Sequence, residues 1–317
     1  MSEAPMTGDA ADSIERLLRD ELTRGDAVIA DARPVLRYFL SHEGHPLFSE
    51  AMVARVRGMM LDLASQLLHA EAEGGEVRDR AAYVAERQDE LASALIEDGS
   101  FLAHAQALVI EADLAERLQA RSGIDAVLPL LVQELAARDD EATAALAMAL
   151  LAAQARFMQN CRRMELPMQE LPGDLFHAAL MALGNRGGAG IELIERRLRA
   201  SYDEGASRLG LIARAITGLG DEAPDALAID RAGPAIFASA LAMASGQERS
   251  SVVLSFAEGQ FARLLLVMRA SGLEHAVMER QLLFLHPDHR LPLAFDAMSA
   301  ERARALLFAA EAERGGH

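Results

Sequence analysis

Four histidines and a group of arginines are the residues of this chain whose types and spacing could do chemistry. His42-Glu-Gly-His45 and His286-Pro-Asp-His289 each set two imidazoles three positions apart with an acid between them. That spacing can bring both rings to one divalent metal, with a carboxylate as third ligand. Gly44 and Pro287 make both stretches loops, however, and not the helical face that metalloprotease motifs use. The competing reading is a pair of polar connectors, His286-Pro-Asp being a helix end followed by a Pro-started turn. The single cysteine, Cys161, lies far from both pairs in sequence, sits in no nucleophile motif and cannot form an internal disulfide. We therefore expect no bound metal and no cofactor; were a metal present, His42, His45, His286 and His289 would be its ligands.

The arginines concentrate around residue 160. Arg156, Arg162 and Arg163 precede the stretch Glu165-Leu-Pro-Met-Gln-Glu-Leu-Pro-Gly173, and Arg186, Arg196, Arg197 and Arg199 follow it. A guanidinium offers a planar fork that suits carboxylates and phosphates. Arg156, Arg162, Arg163, Arg196 and Arg197 are thus candidates for contact with an anion or an acidic partner. The alternative is structural: arginines near a helix C-terminus favour its dipole and pair with nearby acids. Methionines such as Met52, Met59, Met148, Met158, Met164 and Met181 fall on or near apolar helix faces. They would line either an adaptable groove for a partner helix or the core.

Much chemistry is excluded. All 31 basic residues are arginine, so no lysine can hold a nucleotide phosphate or form a Schiff base. The formal charge is −17, and residues 1–100 carry 20 acids against 10 arginines. Such a field repels phosphate backbones and anionic membrane surfaces, which argues against nucleic-acid binding. The most apolar run, Ala142 to Ala155, is too short for a bilayer and ends at Arg156. The first residues lack the charged and apolar regions of a secretory signal, so the expected location is cytoplasmic.

The elements that must position these residues are helices. The chain holds 62 alanines and 47 leucines but only 4 threonines and no tryptophan, and no segment alternates like a strand. Residues 1–11 read as a flexible tail. A capping box at Asp12 and Glu15 opens a helix to about Arg24, Pro34 starts another, and Ser49 caps a long one to about Glu73. Further helices are expected from Asp79 to Glu97, from a Ser100 cap to Ser122, over 124–137 and 140–164, to Leu183 after the Glu-Leu-Pro bend, and then near 190–202, 205–217, 234–245, 249–270, 273–285 and 299–312. The two Leu-Pro steps make 165–173 a rigid elbow, because a residue before proline is held extended. Asn185 to Gly190 is the expected boundary between an N-terminal lobe, 12–184, and a C-terminal lobe, 190–314, with a second soft region at 218–233.

Ser122-Gly-Ile-Asp125, Ser271-Gly-Leu-Glu274 and, more loosely, Ser245-Gly-Gln-Glu248 echo one another. Each reads as a helix end in which glycine turns left-handed and the acid enters the next helix's first turn; two copies 26 residues apart would also suit a helix-pair repeat. Through Phe237 to Gly246 and Arg263 to Leu273 the chain resembles an uncharacterised bacterial family of helical-repeat proteins, a domain of unknown function. The resemblance implies an all-helical, repeat-like fold and carries over no catalytic residue. The expected fold is all-α, with antiparallel helix pairs in an irregular solenoid-like array. The expected function is a non-enzymatic scaffold that holds a protein partner; the alternative is an enzyme or ligand-binding protein with an inter-helical pocket built from the His and Arg clusters.

Overall fold

The computed structural model describes residues 15–25, 50–75, 77–186, 191–257 and 259–315. Within them every regular element is helical. The α-helices are α1 (15–25), α2 (Glu50–Gly74), α3 (Arg80–Glu97), α4 (Gly99–Ser122), α5 (Leu130–Ala136), α6 (Glu141–Arg163), α7 (Gly173–Gly184), α8 (Ile191–Ser201), α9 (Arg208–Gly218), α10 (Ala223–Ala226), α11 (Ile229–Ser245), α12 (Arg249–Leu254), α13 (Phe261–Ala270), α14 (His275–Leu285) and α15 (Ala300–Gly315). Among the described residues no single helix is long and apolar enough to cross a membrane. The tail 1–11, the Asp12 cap, the Pro34 helix, the Ser49 cap and residues 187–190 of the expected lobe boundary lie outside the described residues.

The chain forms two compact units, each drawn from separated stretches. The first takes 1–32, 113–144 and 215–317, the second 33–112 and 145–214, so the divisions fall inside α4, α6 and α9. Asn185 and Arg186 belong to the second unit.

In the second unit, α2 packs against α3, α7 and α8. Its apolar stripe is the one the 3.6-residue period marks: Val56, Met59, Met60, Leu63 and Leu67 are buried, and Met52 is partly so. Asp79 caps α3, its carboxylate accepting from Ala82 N at 3.1 Å. Ser100 does not cap α4. Asp98 does, accepting from Ser100 N at 2.8 Å, because its carboxylate stands at the helix N-terminus while the Ser100 hydroxyl lies two residues further in.

In the first unit, α11 packs against α5, α10, α12, α13 and α14, and α13 packs on α15. Glu15 of α1 takes a two-pronged bond from Arg302 of α15, at 2.7 and 2.8 Å, and that guanidinium holds its carboxyl below the ordinary range. Three stretches differ from expectation. Residues 124–129 are not helical: Asp125 bonds Val127 N and Leu128 N, an Asx turn, and Pro129 keeps Leu128 out of the helical region, so α5 begins only at Leu130. The soft stretch 218–233 holds α10 and the first turn of α11, with a kink at Gly233. The single helix expected over 249–270 is two. Ser255 turns its hydroxyl onto Val252 O at 2.6 Å, competing with the helix, and Gly259 takes φ 87°.

The three echoed tetrapeptides are helix ends. Gly123, Gly246 and Gly272 all have φ between 67° and 87°. Leu273 N and Gln247 N reach back five residues to Met268 O and Ala242 O, which closes the helix in the Schellman manner. The acids sit elsewhere than expected: Glu248 and Glu274 occupy the cap position of the next helix, not its first turn, and neither uses its side chain to cap.

Gly246 and Gly99 give a paired test. At Gly246 a Cβ would meet only Phe308, at an ordinary 3.8 Å, so the penalty is backbone alone. Gly246→Ala is expected to lower the urea-unfolding free energy by about 1–2 kcal/mol. Gly99 has ordinary φ and nothing within 4 Å of its Cβ position, so Gly99→Ala is expected to raise it by about 0.4–1 kcal/mol.

Candidate functional site

The break between α12 and α13 builds a pocket. After α12 the chain brings Gln260 and Phe261 to the start of α13, and Arg263 follows two residues beyond Phe261. Gln260 Nε2 donates to Gly25 O at 2.8 Å, tying the end of α1 to this turn. The tie is close: a Cβ on Gly25 would stand 2.9 Å from Gln260 Oε1. Between these elements lies a pocket of about 350 Å³ bordered by Glu21, Arg24, Gln260, Phe261, Arg263 and His289.

Its walls combine charge with aromatic surface. Arg263 is only 1% exposed, although it is the one charge in the run Phe261 to Met268. The Phe261 ring lies 4.6 Å from that of His289, tilted by 37°, and 5.8 Å from that of His286, which it meets edge-on. The two imidazoles stand 5.5 Å apart, also edge to face. His286 ends α14 by donating to Leu282 O, and His289 N closes the following turn on His286 O at 3.0 Å. The helix-end-and-turn geometry read from His286-Pro-Asp-His289 is therefore present; His289 borders the pocket with Phe261, and His286 packs on both rings. Among the described residues no three His, Cys, Asp or Glu side chains are grouped to hold a metal. His42 and His45 lie outside the described residues.

The arginine candidates sit on two helices. Arg156, Arg162 and Arg163 are exposed on α6, the last two in its final turn, where they favour its dipole. On α8, Arg196 Nε donates to Glu192 O at 3.2 Å and Arg197 reaches Glu73 at 3.5 Å. Arg186 pairs with Glu90 and Arg199 with His177. The elbow they flank is fixed from within the second unit. Asp62 accepts from Leu166 N at 2.8 Å; Gln66 donates to Leu166 O and accepts from Met168 N. Glu170 accepts from Arg208 N, and Glu204 from Gly173 N. Tyr202 donates to Leu171 O at 2.7 Å, and burial first, then Glu204 and neighbouring aspartates, pushes its phenol up to about 12, so it stays a donor.

Beneath the elbow is the arginine that sequence reasoning missed. Arg208, 3% exposed, forks onto Glu111, 1% exposed, at 2.5 and 3.2 Å. It also donates to Gln154 Oε1 and lies 3.7 Å over the Phe157 ring. The cavity beside it, bordered by His104, Cys161, Glu165 and Glu170, measures about 20 Å³, room for one water and no substrate. A signal was present: Glu111 is the one acid in Ala107-Leu-Val-Ile-Glu-Ala112, and Arg263 the one charge in Phe261 to Met268. A charge in the phase of a buried stripe marks a group that the interior must balance.

Arg208→Met would strand the Glu111 carboxylate in the core. The expected loss of unfolding free energy is about 3–5 kcal/mol, and the double variant Arg208→Met with Glu111→Leu should recover most of it, because two apolar groups leave no charge uncompensated. Urea unfolding of the three proteins checks this; a double variant as unstable as the single one would show that the pair is not self-contained. Comparison with family models, with curated proteins and with solved structures gives no match for this chain.

Proposed function

We propose that this chain is a cytoplasmic small-molecule-binding protein, built on stacked helix pairs, whose ligand occupies the pocket of the first unit. The observation that carries this reading is one pocket that joins a nearly fully buried guanidinium, Arg263, to an aromatic wall, Phe261 and His289. Its volume falls within the range of about 300–1,000 Å³ that ligand sites occupy, and such sites characteristically pair apolar surface with a few fixed polar groups. The pocket takes up His289 of the C-terminal His-x-x-His element as wall.

A protein-interaction role is the second reading. It draws on Met148, Met164, Met181 and Met243, four of the nine exposed large apolar side chains among the described residues. Exposed methionines adapt to partner helices, and the exposed Arg162 and Arg163 beside the rigid elbow would favour an acidic or mixed-charge protein.

Thermal-shift screening of small acids, amines and neutral compounds separates the two. A ligand at a hundred times its Kd should stabilise the protein by about 2.7 kcal/mol, a shift of several degrees. The shift should disappear in Phe261→Ala and shrink in His289→Ala, whose side chain is exposed. No shift with any class, or shifts unaffected by these variants, would overturn the pocket reading and favour the interaction reading.

A further inference from the structure

We infer that the pocket takes a free α-amino acid with an aromatic side chain. The inference rests on the pocket reading above and names the class of ligand.

The charges on α1 point to a zwitterion. Glu21 and Arg24 both border the space from the last turn of that helix. An acid and an arginine three positions apart on a helix are neighbours that ordinarily pair. These two do not: among the described residues neither forms an ion pair or a side-chain hydrogen bond. Glu21 is partly buried and Arg24 exposed, so a carboxylate and a guanidinium border the same space with their charges unanswered. An α-amino acid carries the complementary set, an ammonium and a carboxylate on one carbon. The ammonium donates to Glu21, and the carboxylate accepts from the planar fork of Arg24. Arg263 is not needed for either contact, because its Nε and Nη1 are sealed within the wall. A zwitterion adds no net charge, so its binding makes no demand on the sign of the pocket's own field.

The wall from α13 points to a ring. Phe261 and His289 lie 4.6 Å apart, tilted by 37°, and His286 packs on both. A flat ring extends such a cluster by offset or edge contacts. Gly259, which also borders the pocket, has nothing within 4 Å of its Cβ position, so the space beside Phe261 is open. Gln260 sets the spacing of the two walls. Its bond to Gly25 O ties the end of α1, and with it Glu21 and Arg24, to the start of α13. One ligand with its charges at one end and a ring at the other spans both.

The test is calorimetric titration of the full chain with phenylalanine, 3-phenylpropionate, phenethylamine and alanine. The second lacks the ammonium, the third the carboxylate and the fourth the ring. Phenylalanine should bind saturably. It should exceed 3-phenylpropionate by about tenfold, the worth of a charge-assisted bond to a partly buried group. It should exceed phenethylamine by about fivefold, because Arg24 is more exposed. Glu21→Gln should abolish the first preference and keep the second; Arg24→Gln should do the reverse. Neither position lies in the core, and helix content and melting temperature check that both variants fold. Either analogue binding as tightly as phenylalanine, or both preferences surviving both variants, would overturn the zwitterion and leave the pocket reading standing. Alanine binding as tightly would remove the ring, with the same consequence. Binding of none of the four would overturn the inference. The thermal-shift screen then decides the pocket reading separately: a shift with another class of compound keeps it, and no shift ends both.

Discussion

A guanidinium removed from water has to be balanced where it lies, because arginine cannot escape burial by losing its proton. The second unit meets this demand at Arg208. Glu111 supplies both carboxylate oxygens, Gln154 an amide oxygen and Phe157 a ring face, so the first residue of α9 is bound to α4 and α6 at once. The ordering continues outward, since the backbone N–H of the same Arg208 donates to Glu170 in the elbow. A charge, its counter-charge and an irregular chain segment thus fix one another.

The elbow needs that support. Apart from a single 3-10 turn at Met168–Glu170, residues 164–172 leave the helical hydrogen-bond pattern next to buried side chains, and buried backbone groups without partners are costly. Asp62 and Gln66, four residues apart on α2, serve Leu166 and Met168 as a second backbone would. The approach is close enough that a Cβ on Gly58 would stand 2.5 Å from Met164 Cβ, and Met164 itself is held at φ 59°. The two prolines restrict the segment's own freedom, and the polar side chains of α2, with Tyr202, Glu170 and Glu204, determine where it goes.

Helix periodicity and glycine-turned helix ends were readable in the sequence because both are local. The α2 stripe and the glycine turns at 123, 246 and 272 needed only a few neighbours each, whereas the cap expected at Ser100 falls to Asp98. The pairings that define the interior were not readable, since Glu111 and Arg208 are 97 positions apart and Asp62 and Leu166 are 104. The pocket was hidden for another reason. Its origin is the break between α12 and α13, and the strong helix formers on either side mask a break that Ser255 and Gly259 impose. The histidines at 286 and 289 were found by spacing, but their role as an aromatic wall depends on Phe261, which that spacing says nothing about.

Centrally, then, Glu111 balances the Arg208 guanidinium in the core. Arginine side-chain NMR reads this balance directly, because each Nε–Hε resonance reports its own surroundings. The Arg208 guanidinium protons are expected to exchange slowly with solvent in the intact protein and markedly faster in Glu111→Gln. Fast exchange in the intact protein, or the same slow exchange in Glu111→Gln, would contradict it.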